Sequence, residues 1–251
     1  MKFYTISLFP DLIENYVHQS ILGRALKNKI IFVKNFQLRD FTKDKHRRTD
    51  GLPYGGGPGM VIWLDPILNC FEKFLKEISK EKKEKEQIQN IQSIQNILII
   101  NFVPSSEKFT NLLAKNFAKK YTHIIFICGR YEGIDFRLNN ILKDILKQKK
   151  RDLKEQNIKF NFEIIDLSIG DYVLTGGEVA ANVLIDSISR QIKGVLNKDE
   201  SLEENRISSH KIYARPEIYE KKIGVKVKKY LVPKVLLSGN HAEIEKWKLQ
   251  Q

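Results

Sequence analysis

The chain has 251 residues, of which 42% are hydrophobic, and a formal net charge of +13. This length suffices for one large or two modest domains with an ordinary buried core. No apolar stretch approaches the roughly 18 residues of a membrane span, and the first seven residues are typical of a strand rather than a signal peptide, so the chain is expected to be soluble and cytoplasmic.

The predicted strands and helices alternate along the chain. Apolar runs predict strands at residues 3–9, 30–33, 97–103, 123–128 and 162–167, and amphipathic patterns predict helices at 10–27, 65–84, 106–120, 135–146 and 179–190. Such alternation is typical of an α/β fold with a mostly parallel sheet. Residues 78–95 and 147–161, rich in Lys, Glu and Gln, are interpreted as surface insertions or helix extensions without a function of their own.

The net charge indicates what kind of partner the protein binds, and the cysteine and histidine content indicates whether it holds a metal or a redox pair. A cationic surplus of this size favours an anionic partner, such as nucleic acid or an acidic membrane. Cys70 and Cys128 are the only cysteines, and the five histidines have no metal-binding spacing. No resident metal or redox pair is therefore predicted, and Cys128 is interpreted as a small core residue.

Two glycine-containing segments lie near predicted strands. Residues 53–60 contain four glycines and two prolines, which indicates a shaped loop rather than a flexible linker. Residues 127–135 follow a predicted strand and contain Arg130, Glu132 and Asp135 beside two glycines. Charged side chains at the carboxyl end of a strand lie where open α/β sheets bind ligands.

A third glycine-containing segment, residues 168–178, joins a predicted strand to a predicted helix. Gly170, Gly176 and Gly177 would let another group approach the backbone closely. The segment matches neither the dinucleotide-binding motif nor the triphosphate-binding loop. It is interpreted as a ligand-binding loop, with a purely structural tight turn as the alternative.

The carboxyl-terminal part is strongly basic. From Arg206 to Gln251 there are eleven Lys or Arg residues and four Glu, and aromatic residues lie between the cations. Lysines and arginines can bind phosphates while aromatic rings stack on unpaired bases, so this part is predicted to bind RNA, with a solvated basic surface as the alternative. The aromatic residues are Tyr213, Tyr219, Tyr230 and Trp247.

Four motifs occur in an order and spacing that match a known family: YGGGPGM at 54–60, CGRYEGID at 128–135, SIGDYVLTGGE at 168–178 and VLLSGNH at 235–241. Through them the chain resembles the bacterial tRNA (guanine-37 N1)-methyltransferases, the TrmD family of the SPOUT class, over nearly its whole length. The resemblance implies an α/β domain with a parallel sheet and a deep trefoil knot at 1–192. It also implies a linker at 193–209 and a small, basic, α-helical tRNA-binding domain at 210–251.

The resemblance further implies that S-adenosylmethionine binds within the knot, largely through main-chain groups of three loops. It also implies a homodimer whose guanine site combines both subunits, and it suggests a magnesium ion as an aid to the reaction. The implied cofactor-binding residues are Asn101, Phe102, Val103, Pro104, Gly129, Tyr131, Glu132, Gly133, Ser168, Ile169, Gly170, Asp171, Tyr172, Val173, Leu174, Gly176 and Gly177.

The implied reaction methylates N1 of guanosine-37 in tRNA, next to the anticodon. Because neutral guanine carries a proton on N1, a base is needed, together with a cation for the charge that develops on O6. Arg190 occupies the position of the family's essential arginine, and Glu132 matches a position in the cofactor and guanine pocket. The implied RNA-binding residues are Asp50, Pro58, Gly59, Met60, Arg190, Ser201, Arg215 and His241.

One departure from the family concerns the base. Asn205 stands where the family has an aspartate, and an amide has no basic lone pair at neutral pH. We expect an active enzyme in which Glu204 is the base, whereas a slow enzyme or a non-catalytic tRNA-binding protein is the alternative. A knotted methyltransferase of ribosomal RNA fits residues 54–60 and the basic carboxyl-terminal part poorly. Smaller departures are Gly51, where a second acid is usual, and Val103, where a serine is usual.

Overall fold

A five-stranded parallel sheet forms the centre of the larger part of the chain. The computed structural model describes residues 1–89, 94–155, 160–196 and 211–250. Numbered along the chain, the sheet strands are β1 (Lys2–Ser7), β2 (Phe32–Gln37), β5 (Gln95–Phe102), β6 (His123–Ile127) and β7 (Phe160–Leu167). Their order is β2-β1-β6-β5-β7, and every neighbouring pair is parallel. The prediction of an α/β fold with a parallel sheet is confirmed.

Helices cover both faces of the sheet because its strands carry apolar side chains on both faces. Ile97 and Ile99 pack with the helices of one face, and Leu98 and Ile100 pack with those of the other. The first face holds α3 (Leu64–Gln89) and α5 (Leu138–Glu155). The second face holds α1 (Asp11–Val17), α2 (Ser20–Lys27), α4 (Asn111–Lys120) and α6 (Gly177–Arg190).

The single helix predicted at 10–27 is wrong, because the structure has α1 and α2 there. Gln19 is extended, and Ser20 has a φ of 49°, so a continuous helix cannot pass through these residues. A Cβ atom on Gly23 would overlap the carbonyl oxygen of His18, so the close approach of the two helices requires glycine at this position.

For the helix predicted at 106–120, the predicted start at residue 106 is also wrong. α4 begins at Asn111, and the side chain of Thr110 caps it by accepting a hydrogen bond of 3.3 Å from the amide of Leu113. The residues before it pair instead with the segment after β7. The amide of Phe109 donates to the carbonyl of Ser168 at 2.7 Å, and the amide of Ser168 donates to the carbonyl of Glu107 at 2.8 Å.

Much of the two charged stretches interpreted as insertions is helical. α3 extends to Gln89 and α5 to Glu155, each well beyond the helix predicted from apolar spacing. Lys82 lies on the buried side of α3, where its ammonium group is 5.6 Å from the centre of the Phe160 ring. A lysine in a charged run can thus pack its stem against the sheet, which apolar spacing alone does not reveal.

The chain divides into two units, Met1–Val195 and Leu196–Gln251. The first also contains a short antiparallel pair, β3 (Asp50–Gly51) and β4 (Val61–Ile62). The described part of the second contains a hairpin of β8 (Ile218–Ile223) and β9 (Lys226–Leu231), followed by α7 (Lys234–Leu237) and α8 (His241–Leu249). The small α-helical domain expected from the resemblance therefore needs correction, because its described part contains a β-hairpin as well as helices; the Lys-rich strands lack the apolar alternation that would have predicted them.

The boundaries predicted for the linker stay a prediction, since residues 197–210 lie outside the described ranges. Among the helices that the structure describes, none combines the length and the apolar character needed to cross a membrane.

Candidate active site

A cavity of about 300 Å³ lies at the carboxyl edge of the sheet. Its walls come from the segments that follow β5, β6 and β7 and from the first turn of α6. This is the edge at which open α/β sheets bind ligands. The cavity is lined by Phe102, Val103, Pro104, Gly129, Arg130, Tyr131, Glu132, Gly133, Leu167, Ser168, Ile169, Tyr172, Val173, Leu174, Gly176, Gly177 and Ala180.

The structure brings together all but three of the residues predicted to bind the cofactor. The exceptions lie beside the cavity. The amide nitrogen of the Asn101 side chain donates to Asp166 at 3.1 Å, and Asp171 forms an ion pair with Lys108. Gly170 lies under the ring of Tyr172, whose hydroxyl donates to the carbonyl of Ile169 at 3.1 Å, so this glycine shapes the turn.

Arg130, Leu167 and Ala180 also line the cavity; Leu167 and Ala180 were not predicted as site residues, whereas Arg130 lies in the 127–135 segment predicted to be near a ligand. Leu167 and Ala180 are apolar core residues that gave no separate signal in the sequence. Arg130 did carry a signal, because it stands next to Gly129 in a conspicuous motif after a strand. The sequence does not show which acidic residue neutralises it.

That acidic residue is Glu178, in the first turn of α6. Its side chain is 1% exposed, and Nη2 of Arg130 lies 3.1 Å from its Oε2. The hydroxyl of Ser7, at the end of β1, donates to the same carboxylate at 2.7 Å. The guanidinium also lies 4.2 Å from the centre of the Phe9 ring. The pair therefore ties β1, the segment after β6 and α6 together beneath the cavity.

Two glycines bring the segment after β7 against the segment after β6. The amide of Gly177 donates to the carbonyl of Gly129 at 2.9 Å. A Cβ atom on Gly177 would lie 2.8 Å from Cα of Cys128 and 3.0 Å from the Phe102 ring. A Cβ atom on Gly176 would lie 2.8 Å from Nε of Arg130. Larger residues would push the two segments apart.

Cys128 lies within this contact, and its thiol is a poor nucleophile. Burial, reinforced by the negative charge of Glu178, raises its pKa well above the ordinary value for a thiol. The interpretation of Cys128 as a core residue is consistent with its 2% exposure.

The glycine-rich loop at 53–60 borders the cavity at Glu132. The amide of Glu132 donates to the carbonyl of Met60 at 3.0 Å. Gly59 has a φ of +92°, and a Cβ atom on it would lie 2.5 Å from Oε1 of Glu132. Tyr131, which precedes Glu132, has a φ of 60°, a strained conformation for this residue type, and such strain is enriched at functional sites.

The other residues predicted for the guanine side lie in this loop or just before it. Asp50 pairs with Ile62 in the β3–β4 ladder, and Pro58 is an exposed residue of the loop. At Gly51 a Cβ atom would lie 2.5 Å from the indole nitrogen of Trp63. The packing of Trp63 thus leaves no room for the acidic side chain that the resemblance would place at this position.

The chain matches the family model described as "tRNA (Guanine-1)-methyltransferase TrmD" over residues 1–251. It belongs to this family. Among curated relatives named tRNA (guanine-N(1)-)-methyltransferase, that of Lachnospira eligens is 39% identical over 99% of this chain and 88% of the relative. That of Ruminiclostridium cellulolyticum is 38% identical over 100% of this chain and 91% of the relative. The family resemblance predicted from the four motifs is confirmed.

As a member of the TrmD family the protein is a methyltransferase. Among the residues predicted to be catalytic, Arg190 lies in a described part of the chain away from the cavity. Arg190 is the last residue of α6, whose first residue, Gly177, lines the cavity. At a rise of about 1.5 Å per residue, the two ends of this 14-residue helix lie roughly 20 Å apart. Arg190 is therefore not at the cavity of its own chain.

The remaining predicted residues lie elsewhere in the chain. Ser201, Glu204 and Asn205 fall in 197–210, outside the described residues. Arg215 and His241 belong to the second unit, where both are exposed. In the part of the chain that the structure describes, no group of three or more His, Cys, Asp or Glu residues could hold a metal ion.

Proposed function

We propose that the protein transfers a methyl group from S-adenosylmethionine to N1 of guanosine-37 in tRNA. The observation that carries this proposal is the cavity at the carboxyl edge of the sheet, built from the motifs of a family to which the whole chain belongs. S-adenosylmethionine supplies an electrophilic methyl group. The protein must bind this cofactor, exclude water, hold the guanine and remove its N1 proton.

The residues around the cavity fit such a cofactor. A volume of about 300 Å³ is within the range of small-molecule sites, and the lining combines apolar side chains with four glycines, which leave the main chain free of side-chain cover. Ile169 and Leu174 would flank the adenine, and the backbone of the glycine-containing turns would hydrogen-bond its edge. The other predicted cofactor-binding residues named above would complete the pocket.

We include the deep trefoil knot in the same proposal. Its support is the path of the segment after β7. This segment hydrogen-bonds on one side with Glu107 and Phe109, which follow β5, and on the other with Gly129, which follows β6. A segment held between two loops of the chain in this way is compatible with a threaded backbone, which is rare among proteins.

Removal of the N1 proton requires a general base. Asn205 cannot accept this proton at neutral pH, whereas Glu204, its neighbour, carries the basic group that the step needs. The guanidinium of Arg190 would stabilise the negative charge that develops on O6 as the proton leaves. Glu132, where the 53–60 loop meets the cavity, would help to position the guanine.

We further propose that the active form is a homodimer. Ala180, the last residue of α6 that lines the cavity, lies about 15 Å along the helix from Arg190, so a second copy would have to supply the arginine. Its guanidinium makes no hydrogen bond or ion pair with another residue that the structure describes. Apolar side chains on α1 and α6 are also exposed, as at an unoccupied interface: Leu12 (49%), Tyr16 (44%), Val179 (52%) and Val183 (38%).

The tRNA would contact both units. Asp50, Pro58, Gly59 and Met60 would hold the guanosine, while Ser201, Arg215 and His241 would bind flanking nucleotides. A tRNA substrate implies that the protein works in the cytoplasm. A contribution of magnesium stays a prediction.

Methyl transfer from labelled S-adenosylmethionine tests the proposal. Transcripts with guanosine at positions 36 and 37 should become labelled at N1 of guanosine-37, and a transcript with adenosine at 37 serves as the matched control. Binding of both tRNA and cofactor without any product above a no-enzyme reaction would instead identify a non-catalytic RNA-binding protein.

A further inference from the structure

The hairpin of β8 and β9 projects two different faces. Its strands are joined by Gly224 and Val225, and Gly224 has a φ of +60°, as the first position of a type II′ turn requires. Every residue of both strands is exposed. None of residues 211–250 is buried, so this part of the chain has no internal core onto which either face packs.

Side chains alternate between the two faces, and directly opposite residues share a face. The register pairs Tyr219 with Tyr230, Lys221 with Lys228 and Ile223 with Lys226. We call these six residues the tyrosine-lysine face. The opposite face, here the mixed face, consists of Ile218, Glu220, Lys222, Val227, Lys229 and Leu231.

The charges differ sharply between the faces. On the mixed face Glu220 and Lys229 form an ion pair of 2.7 Å. The tyrosine-lysine face carries three lysines and no acidic residue, and Lys221 stands directly across from Lys228. Like charges at such a position destabilise a hairpin, so the hairpin itself gains nothing from this pair. An anionic ligand would remove the repulsion.

The aromatic residues favour one kind of anion. Tyr219 is 56% exposed and Tyr230 is 45% exposed, although they are cross-strand neighbours. The ammonium group of Lys228 lies 5.2 Å from the centre of the Tyr230 ring. Flat aromatic faces beside lysines are the combination by which proteins bind unpaired nucleotides, through stacking on bases and charge attraction to phosphates.

We propose that the tyrosine-lysine face binds the tRNA substrate, with Lys221 and Lys228 on backbone phosphates and Tyr219 and Tyr230 stacked on unpaired bases. The inference rests on the proposed function for the identity of the RNA. It assigns the contact to one face of the hairpin and leaves the mixed face without a role in RNA binding.

The test compares full-length variants that remove two lysines from either face. Lys221→Ser with Lys228→Ser alters the tyrosine-lysine face, and Lys222→Ser with Lys229→Ser is the control on the mixed face. Affinity for an unmodified tRNA transcript is measured by fluorescence anisotropy at several salt concentrations. The first pair should weaken binding roughly tenfold near physiological salt and reduce the slope of log K against log salt by about 2, while the control should change both much less.

A second pair, Tyr219→Ala with Tyr230→Ala, should weaken binding while leaving the salt slope unchanged, because stacking releases no counterions. Affinity for S-adenosylmethionine should be unaltered in all variants and shows that the first unit is intact. Equal losses from the two lysine pairs, or an unchanged affinity for tRNA, would overturn the proposal. The proposal would also be overturned if the variants of the tyrosine-lysine face changed the oligomeric mass of the protein but not its affinity for tRNA, because the face would then pack on a second copy of the chain. All these readouts are of binding, so they remain decisive even if the wild type shows no methyl transfer.

Discussion

Arg130 and the buried Glu178 form an ion pair that joins the segment after β6 to the first turn of α6. The carboxylate is 1% exposed and also accepts a hydrogen bond from Ser7, while the guanidinium lies on the ring of Phe9. Since Arg130 lines the cavity and Glu178 does not, the acidic residue acts through its partner. The pair fixes the relative position of two of the three segments that would hold the cofactor.

Glu178→Gln should therefore reduce both stability and cofactor affinity. The substitution removes the counter-charge of the partly exposed Arg130 and weakens the hydrogen bonds that the buried carboxylate accepts, which should cost about 1–3 kcal/mol. Less well-ordered loops should weaken S-adenosylmethionine binding roughly tenfold. Urea unfolding and calorimetric titration measure the two effects. Glu163→Gln, which breaks the exposed pair with Lys120, is the control and should cost less than about 1 kcal/mol; similar losses in both variants would contradict this account.

Gly177→Ala should be more damaging than Gly129→Ala, although both glycines line the cavity. At Gly177 the new Cβ atom would meet the backbone of Cys128 at 2.8 Å, and backbone cannot move aside cheaply. At Gly129 the nearest atom, 3.3 Å away, belongs to the side chain of Ile134. We expect an overpacking cost of about 1–3 kcal/mol for the first and less for the second, measured by thermal unfolding. A larger loss of stability for Gly129→Ala than for Gly177→Ala would show that the contact between Gly177 and the backbone of Cys128 does not determine the cost of the substitution.

The glycine motifs located the cavity from sequence because close approach and tight turns restrict which residues can occupy these positions. The spacing of apolar residues likewise predicted the sheet. Neither signal contains the pairing of side chains far apart in sequence, so the Arg130–Glu178 pair could not be predicted. The break at Ser20 was missed because its cause is a local backbone conformation. The hairpin was missed because lysines replace the apolar residues that normally mark a strand.

Acid should remove the contribution of Glu163 to stability. Hydrogen bonds from Lys120 at 2.6 Å and Tyr121 at 2.5 Å lower the pKa of its carboxyl below the usual 4.5. A lowered pKa in the folded state stabilises the fold above the unfolded pKa, and this contribution disappears as pH falls through the folded value. The free energies of unfolding of the wild type and Glu163→Gln should therefore differ at pH 7 and converge in acid. A difference that persists unchanged in acid would exclude this carboxyl as its source.

The carboxylate that replaces the expected base can be identified by three variants of adjacent residues. If Glu204 removes the N1 proton, Glu204→Gln should slow single-turnover methyl transfer by at least about 100-fold. Asn205→Asp should leave the rate unchanged or raise it. Glu203→Gln is the matched control, because it removes the same charge one residue away and should have little effect. A wild-type rate for Glu204→Gln would show that the proton goes elsewhere.

Mixed dimers decide whether Arg190 acts across subunits. Arg190→Ala and Gly177→Ala should each be inactive as homodimers, the first for lack of the cation and the second for lack of an intact cofactor pocket. If Arg190 serves the partner's cavity, a heterodimer of the two variants contains one site with a normal pocket and a normal arginine. Random mixing should then restore about a quarter of wild-type activity. If Arg190 serves its own cavity, both sites of the heterodimer are damaged and no activity returns. The separation of about 15 Å along α6 between Arg190 and the cavity-lining residue Ala180 leads us to expect the first result.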